Sequence, residues 1–388
     1  NYQHVLLMNR KMNKNFYNDD NSINLAIFFS FLIVIFTNDY SVGSVFTNNS
    51  AARSGEFYLN ISNSFPYASE NINYHHAQRF LFPYLIGFLS RISDIDTTII
   101  FSFFSYLVLF LIFLIKIKIS QILNLNTVNK LFFFLLFIFN PYILRYFTIY
   151  PTMLVDLVFL LSGYVFIFYL LNKKSIFLYI SIFLAVSTRQ TGILILSIII
   201  FYYFFFYRDK KFSLKNLLII FFIFLFLTFL SIKYTSYGGY EIFPSSAYMG
   251  IIIYLRKNFI FHELITFILL PFISIAPVII FYFINNIKKK NLHTKNDLIL
   301  TTLIAIFICA QPFLGGPNWT GKNIVRLVTL SYPFIIYSVF LTIEENKKKN
   351  NFFLISLIII TLSLWSFHPT FSKIKIFKNL SLKSFLVY

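Results

Sequence analysis

Charge is scarce in this chain. Asp, Glu, Lys and Arg make up 12% of its 388 residues, about half the roughly 25% of a soluble globular domain. With 58% hydrophobic residues and a mean hydropathy of +0.73, that shortage excludes an ordinary water-soluble fold and points to an integral membrane protein. Cysteine is all but missing. The single one, Cys309, lies inside an apolar run, which excludes a disulfide framework or a Cys-based metal site within one chain and leaves the redox compartment open. No internal repeat, long linker or soluble domain interrupts the sequence. Ionisable residues are nearly absent from the middles of the apolar runs. That counts against a transporter or lipid flippase, where charges near the midplane or paired repeats are expected.

What charge there is leans basic, with 33 Lys and Arg against 14 Asp and Glu. The basic residues fall in six short blocks between apolar runs: Arg10/Lys11/Lys14, Lys116/Lys118, Lys173/Lys174, Arg208/Lys210/Lys211, Lys288/Lys289/Lys290 and Lys347/Lys348/Lys349. Blocks spread in this way do not form a nucleic-acid surface; anionic headgroups of membrane lipids are their natural counterpart. The 54 Phe, among many Ile, Lys, Asn and Tyr, match A/T-rich coding and need no functional cause.

A helix needs about 20 apolar residues to cross the hydrocarbon, with a range of roughly 17–25. The runs at 22–37, 97–115, 131–150, 153–171, 176–187, 192–207, 214–232, 264–287, 298–313, 324–343 and 352–367 give about eleven transmembrane helices on this criterion. Asn140-Pro141 breaks the third run, and Pro271 and Pro277 bend the eighth. Phe80–Ile92 is apolar but half a span long. If it crossed the membrane, every later basic block would change sides. Lying along the outer surface as an interfacial helix, it leaves all six blocks on the cytoplasmic side, where basic loops stay. The expected organisation is a cytoplasmic basic N-terminus (1–21), a transmembrane domain (22–343) whose first outer loop is 38–96, and a last transmembrane helix with a short basic outer tail (344–388).

This topology gathers ionisable residues on the outer face: Asp39, Arg53, Glu56, Glu70, His75, His76, Arg79, Arg145, Asp156, Arg189, Glu241, His262, Glu263, Lys322 and Arg326. Such groups near hydrocarbon are costly and have partners or tasks. Five segments there carry a resemblance. Ser54-Gly55-Glu56-Phe57-Tyr58-Leu59-Asn60-Ile61-Ser62 resembles the Asp-Gly-x-x-Tyr-x-x-Ile-Ala stretch of GT-C type glycosyltransferases, the polytopic family of protein O-mannosyltransferases and aminoarabinose transferases. Arg79-Phe80-Leu81-Phe82-Pro83-Tyr84-Leu85 is similar to the Arg-x-Leu-x-Pro-x-Leu segment that opens the outer juxtamembrane helix of bacterial members. Tyr150–Asp156, Thr188-Arg189-Gln190-Thr191-Gly192, and Asn323–Arg326 with Tyr332-Pro333-Phe334 resemble later family turns in order and spacing. The likeness runs over residues 22–343. Ser54 stands where the family has its first acid.

The resemblance implies a GT-C-like fold. It also implies an enzyme of a bacterial inner (plasma) membrane that moves a sugar from a polyprenyl-phosphate carrier to a lipid, glycan or protein acceptor on the outer face. Such a reaction needs a carboxylate to accept the acceptor's proton, cations for the leaving phosphate and an apolar groove for the prenyl tail. Glu56 and Asp39 are the two candidates for the base. Arg79, Arg189, Arg326 and Lys322 are the candidates for the donor phosphate, and Tyr58, Asp156 and His76 for other substrate contacts. Each has a plainer alternative: arginines snorkel to headgroups, and Asp156 can serve a helix start through the macrodipole. His75-His76 makes a poor metal pair, since adjacent side chains diverge and no spaced acids accompany them. No cofactor is expected, and nothing in the chain speaks for or against an assisting divalent metal. A lipid-linked glycan polymerase or ligase is the alternative enzyme, though such proteins place their large outer loop late in the chain.

Overall fold

The computed structural model describes residues 25–40, 50–68, 72, 74–189, 191–206, 214–238, 250–257, 259–284, 292–319 and 324–342. Among them every element is helical, with no β-strand. The order is α1 (Leu25–Phe36), α2 (Ser50–Asn63), α3 (Tyr74–Ala77), α4 (Leu81–Ser93), α5 (Thr97–Ile122) and α6 (Thr127–Ile138). A π-helical turn (Pro141–Arg145), α7 (Tyr146–Ile149) and a 3-10 turn (Pro151–Met153) lead to α8 (Leu154–Asn172). Then come α9 (Ser175–Thr188), α10 (Thr191–Phe206), α11 (Leu214–Gly238), α12 (Gly250–Lys257), α13 (Phe261–Ile284), α14 (Leu292–Trp319), α15 (Ile324–Thr329) and α16 (Tyr332–Thr342).

Among the described residues five helices are long and apolar enough to cross a bilayer: Thr97–Ile122, Asn129–Ile149, Pro151–Asn172, Leu218–Ser236 and Asn296–Pro317. They divide by burial. The second and third are wrapped by protein (94% and 89% buried), whereas the first, fourth and fifth are 33%, 22% and 39% buried. A helix apolar on all sides is either a core helix or a membrane span. Here α6–α7 and α8 form the centre, and α5, α11 and α14 turn Phe103, Phe110, Phe222, Phe229 and Ile306 outward, as a lipid-facing shell requires. The expected span at 352–367 lies outside the described residues, as do four of the six basic blocks.

The break at Asn140-Pro141 is present. Proline has no N–H and its ring clashes with the preceding turn, so α6 stops at Ile138 and the chain restarts as a π turn. Asn140 caps it by accepting from the Tyr142 amide at 2.9 Å. Single π turns gather at functional sites, and this one delivers Arg145 and Tyr146 to the core. Arg145 closes α1: its guanidinium donates to Val34 O (3.3 Å), Asn38 Oδ1 (2.8 Å) and Thr37 Oγ1 (3.0 Å). A cation there meets the negative end of the helix dipole. The expected single helix at 324–343 is instead two, because Pro333 cannot donate to the preceding turn; between them Ser331 Oγ donates to Val328 O at 2.7 Å. The glycine-rich turn near residue 316 is a break within α14. Gly316 has φ 64°, and a Cβ there would stand 2.8 Å from the backbone of Ile251.

Lys116 departs from the sequence expectation. Span α5 does not end at Ile115 but runs on to Ile122. Only Lys118 is exposed, and Lys116 is fully buried. The reason is helical spacing: Ile112, Lys116, Ile119 and Ser120 share the face packed on the bundle. Its ammonium donates to Phe133 O at 2.7 Å and lies 3.6 Å over the Phe133 ring and 5.0 Å from that of Tyr164. Replacing buried charges by apolar groups of similar volume is often neutral or stabilising. Lys116→Met is therefore expected to fold with a thermal midpoint at or above wild type. A loss beyond about 2 kcal/mol would show that the aromatic cage itself holds the fold.

Helix α4 packs on α2, α5, α8 and α9. It buries Pro83, Ile86 and Gly87 and exposes Leu85, Phe88, Leu89 and Ile92. Its 13 residues reach about 20 Å at 1.5 Å per residue, short of the ~30 Å hydrocarbon core. Gly87 sets the distance to α2: a Cβ there would fall 2.1 Å from Ser62 O and 2.8 Å from Phe65 Cβ. Ser62 Oγ also donates to Pro83 O at 2.7 Å. Gly87→Val should force the helices apart and cost about 1–3 kcal/mol. An unchanged midpoint in a thermal melt would contradict this close approach.

Candidate functional site

Asp156 is the hub. It lies in the first turn of α8, just after the 3-10 turn at Pro151, where a carboxylate meets the positive end of the helix dipole. It is wholly buried. Arg189 reaches its Oδ1 in an ion pair from the extended residue that ends α9, where Thr188 turns its hydroxyl back to Leu184 O at 2.6 Å. Arg326, in α15, stands with Nε 3.6 Å from Asp156 Oδ2 and donates from Nη1 to Tyr146 Oη at 3.0 Å. Tyr146 is there because the π turn places it there.

A second group adjoins the first. Arg79, buried in the corner between α3 and α4, donates from Nη1 to Tyr58 Oη at 3.1 Å and is bonded to His75 Nε2. Tyr58 points inward because α2 is pressed against the 3-10 turn: a Cβ on Gly55 would collide with Thr152 Oγ1 at 2.3 Å. His76 packs its ring 4.6 Å from Phe57 and 5.7 Å from Tyr58. The two groups form one electrostatic unit. Burial first, then Arg79, holds His75 well below the ordinary imidazole range, with His76, Arg189 and Arg326 adding to the effect. Burial, then Arg79 and Arg326, brings His76 down to about 3. Both rings are therefore neutral at pH 7.

Several buried polar atoms of this unit have no hydrogen-bond partner: Arg189 Nε, Arg326 Nε, Asp156 Oδ2 and His76 Nδ1. Unmatched buried donors are costly and mark places where a water or ligand completes the network. A cavity of about 110 Å³ reaches Arg189 from the side. It is lined by Gln78, Phe80, Leu81 and Arg189 and, from α11, by Leu227 and Ser231.

Of the residues singled out from sequence, the structure thus brings together Tyr58, His76, Arg79, Asp156, Arg189 and Arg326. Two others are less enclosed. Asp39 is half-buried just beyond α1. Glu56 is half-buried on the α2 face that carries the exposed Asn60 and Asn63. Two residues from Tyr58, it points to the other side of the helix. Lys322, Glu70 and Glu241 lie outside the described residues. Tyr146 was not anticipated: nothing local separates it from the chain's other 25 tyrosines, and its role follows from the π turn. Among the described residues no three His, Cys, Asp or Glu side chains gather into a group able to hold a metal ion.

No protein family, curated protein or solved structure matches this chain.

Proposed function

We propose that this protein is a membrane glycosyltransferase that takes a sugar from a polyprenyl-phosphate carrier and transfers it to an acceptor hydroxyl on the outer face of a bacterial inner membrane. One observation carries the reading. Arg189 and Arg326 share a single buried carboxylate, and the Nε of each lacks a hydrogen-bond partner, that of Arg326 standing 3.6 Å from Asp156 Oδ2. Two guanidiniums against one carboxylate leave positive charge in a dry setting, and a phosphate, with its several acceptor oxygens, matches paired guanidiniums. In the transfer, negative charge grows on the phosphate oxygen as the bond to the anomeric carbon breaks. Fixed cations lower the barrier at that point.

Two features support a lipid carrier. The cavity beside Arg189 is walled largely by apolar residues and borders α11, whose other face exposes Phe222, Phe226 and Phe229. Helix α4, short and with one exposed apolar side, suits the membrane surface. A resting place there keeps the N-terminus and the basic loops cytoplasmic.

The test is binding. The full chain in lipid nanodiscs should bind polyprenyl phosphate at least tenfold more tightly than the uncharged polyprenol of the same length. Equal affinity for the two would remove the phosphate from the argument and the reading with it.

A further inference from the structure

A sugar transfer of this kind needs a proton acceptor next to the phosphate site, and among the described residues the carboxylates of the buried cluster leave that role open. Glu56 projects from the side of α2 opposite Tyr58, and Asp156 is already engaged by Arg189 and Arg326. We propose that His76 is the catalytic base, taking the acceptor's proton at Nδ1, and that the bound donor phosphate switches it on. This rests on the phosphate reading above.

The geometry supports it in three ways. Nδ1 of His76 is shielded from solvent and has no hydrogen-bond partner, so with the ring proton on Nε2 it presents an unused lone pair. The ring is braced by Phe57 and Tyr58, with His75 edge-on at 5.5 Å, so it need not be ordered on substrate binding. It also stands in the field of Arg79, Arg326, Asp156 and Arg189. Three of those four groups are cations, and after burial they are what keeps the ring a weak base. A phosphate anion between the guanidiniums cancels that field. An opposite charge within ~4–6 Å raises the proton affinity of an imidazole about ten- to a thousandfold.

The step balances without further reactants. The acceptor oxygen forms its bond to the anomeric carbon with a lone pair. The bond from that carbon to the phosphate oxygen breaks, and its electrons leave on the lipid phosphate. The hydroxyl proton passes to His76 Nδ1. Release of the lipid phosphate restores the cationic field, which expels the proton and resets the base.

Two measurements test this on the full chain in nanodiscs. In the first, isotope-labelled imidazole spectra are recorded across acidic pH, with the His76 signals assigned by their loss in His76→Asn. Polyprenyl phosphate should move the His76 titration upward at least tenfold in proton affinity, and polyprenol should not. In the second, His76→Asn should bind polyprenyl phosphate within about threefold of wild type and lose about 10²–10⁴ in the rate of sugar transfer. Bound polyprenyl phosphate that leaves the His76 titration in place, or wild-type transfer by His76→Asn, would overturn the base while leaving the phosphate site standing. No preference of the wild type for polyprenyl phosphate over polyprenol would overturn both.

Discussion

Replacing Asp156 by Ala should cost the fold about 3–5 kcal/mol, the usual penalty for stripping one partner from a buried ionic group. Asp156 is fully enclosed and holds Arg189 directly, with Arg326 3.6 Å away. The guanidiniums come from the end of α9 and from α15, so the carboxylate joins two segments to α8, and its loss leaves two cations facing each other in a dry core. Two controls separate this from a simple cavity. The triple variant Asp156→Leu, Arg189→Met, Arg326→Met removes the charges together and should recover most of the lost stability. Polyprenyl phosphate, added to Asp156→Ala at a hundred times its dissociation constant, should return about 2.7 kcal/mol by mass action. Thermal melts in nanodiscs measure all three. A melt of Asp156→Ala that matches wild type would mean that the ion pairs contribute nothing to the fold.

The second large effect falls on ligand binding. Arg326→Ala should weaken polyprenyl phosphate binding by about 2–5 kcal/mol, or roughly 30-fold or more, as for loss of one member of a buried, hydrogen-bonded charge set. Arg189→Ala should do the same, because its Nε is the other unmatched donor. Neither change should alter the weaker binding of polyprenol, which has no phosphate to meet. The Lys exchange is informative as well: a point charge restores attraction but not the flat, two-pronged donor set, so Arg326→Lys should recover only part of the affinity. If both alanine variants bind polyprenyl phosphate as wild type does, the guanidinium pair is structural and the phosphate lies elsewhere.

The membrane character and the helix breaks were legible because they follow from local chemistry. Asn140-Pro141 interrupts its helix whatever surrounds it, and apolar runs of span length have few other uses. The arginines were legible for a related reason: Arg79, Arg189 and Arg326 stand at the edges of apolar segments, where an unpaired charge is expensive. Lys116 shows the limit of that logic. Its neighbour Lys118 is exposed and its spacing from Ile112 is four residues, so the same two-residue basic block can be a loop or a buried stripe, and only the packing of α6 and α8 against α5 chose the stripe. Glu56 shows it again. A first-loop acid beside Tyr58 in sequence lies across the helix from it in space, because successive helical residues turn by about 100°.

What the amino-acid order determined was which residues are unaffordable in lipid unless they find one another: a few guanidiniums, one aspartate, two imidazoles. What the tertiary structure decided was the matching. Tyr146 and Arg326 are 180 residues apart, Arg189 and Asp156 are 33 apart, and no local pattern specifies either contact. Both arise because a π turn, a 3-10 turn and a helix end meet at one level of the bundle, where the low dielectric makes each ionic partner worth far more than it would be in water.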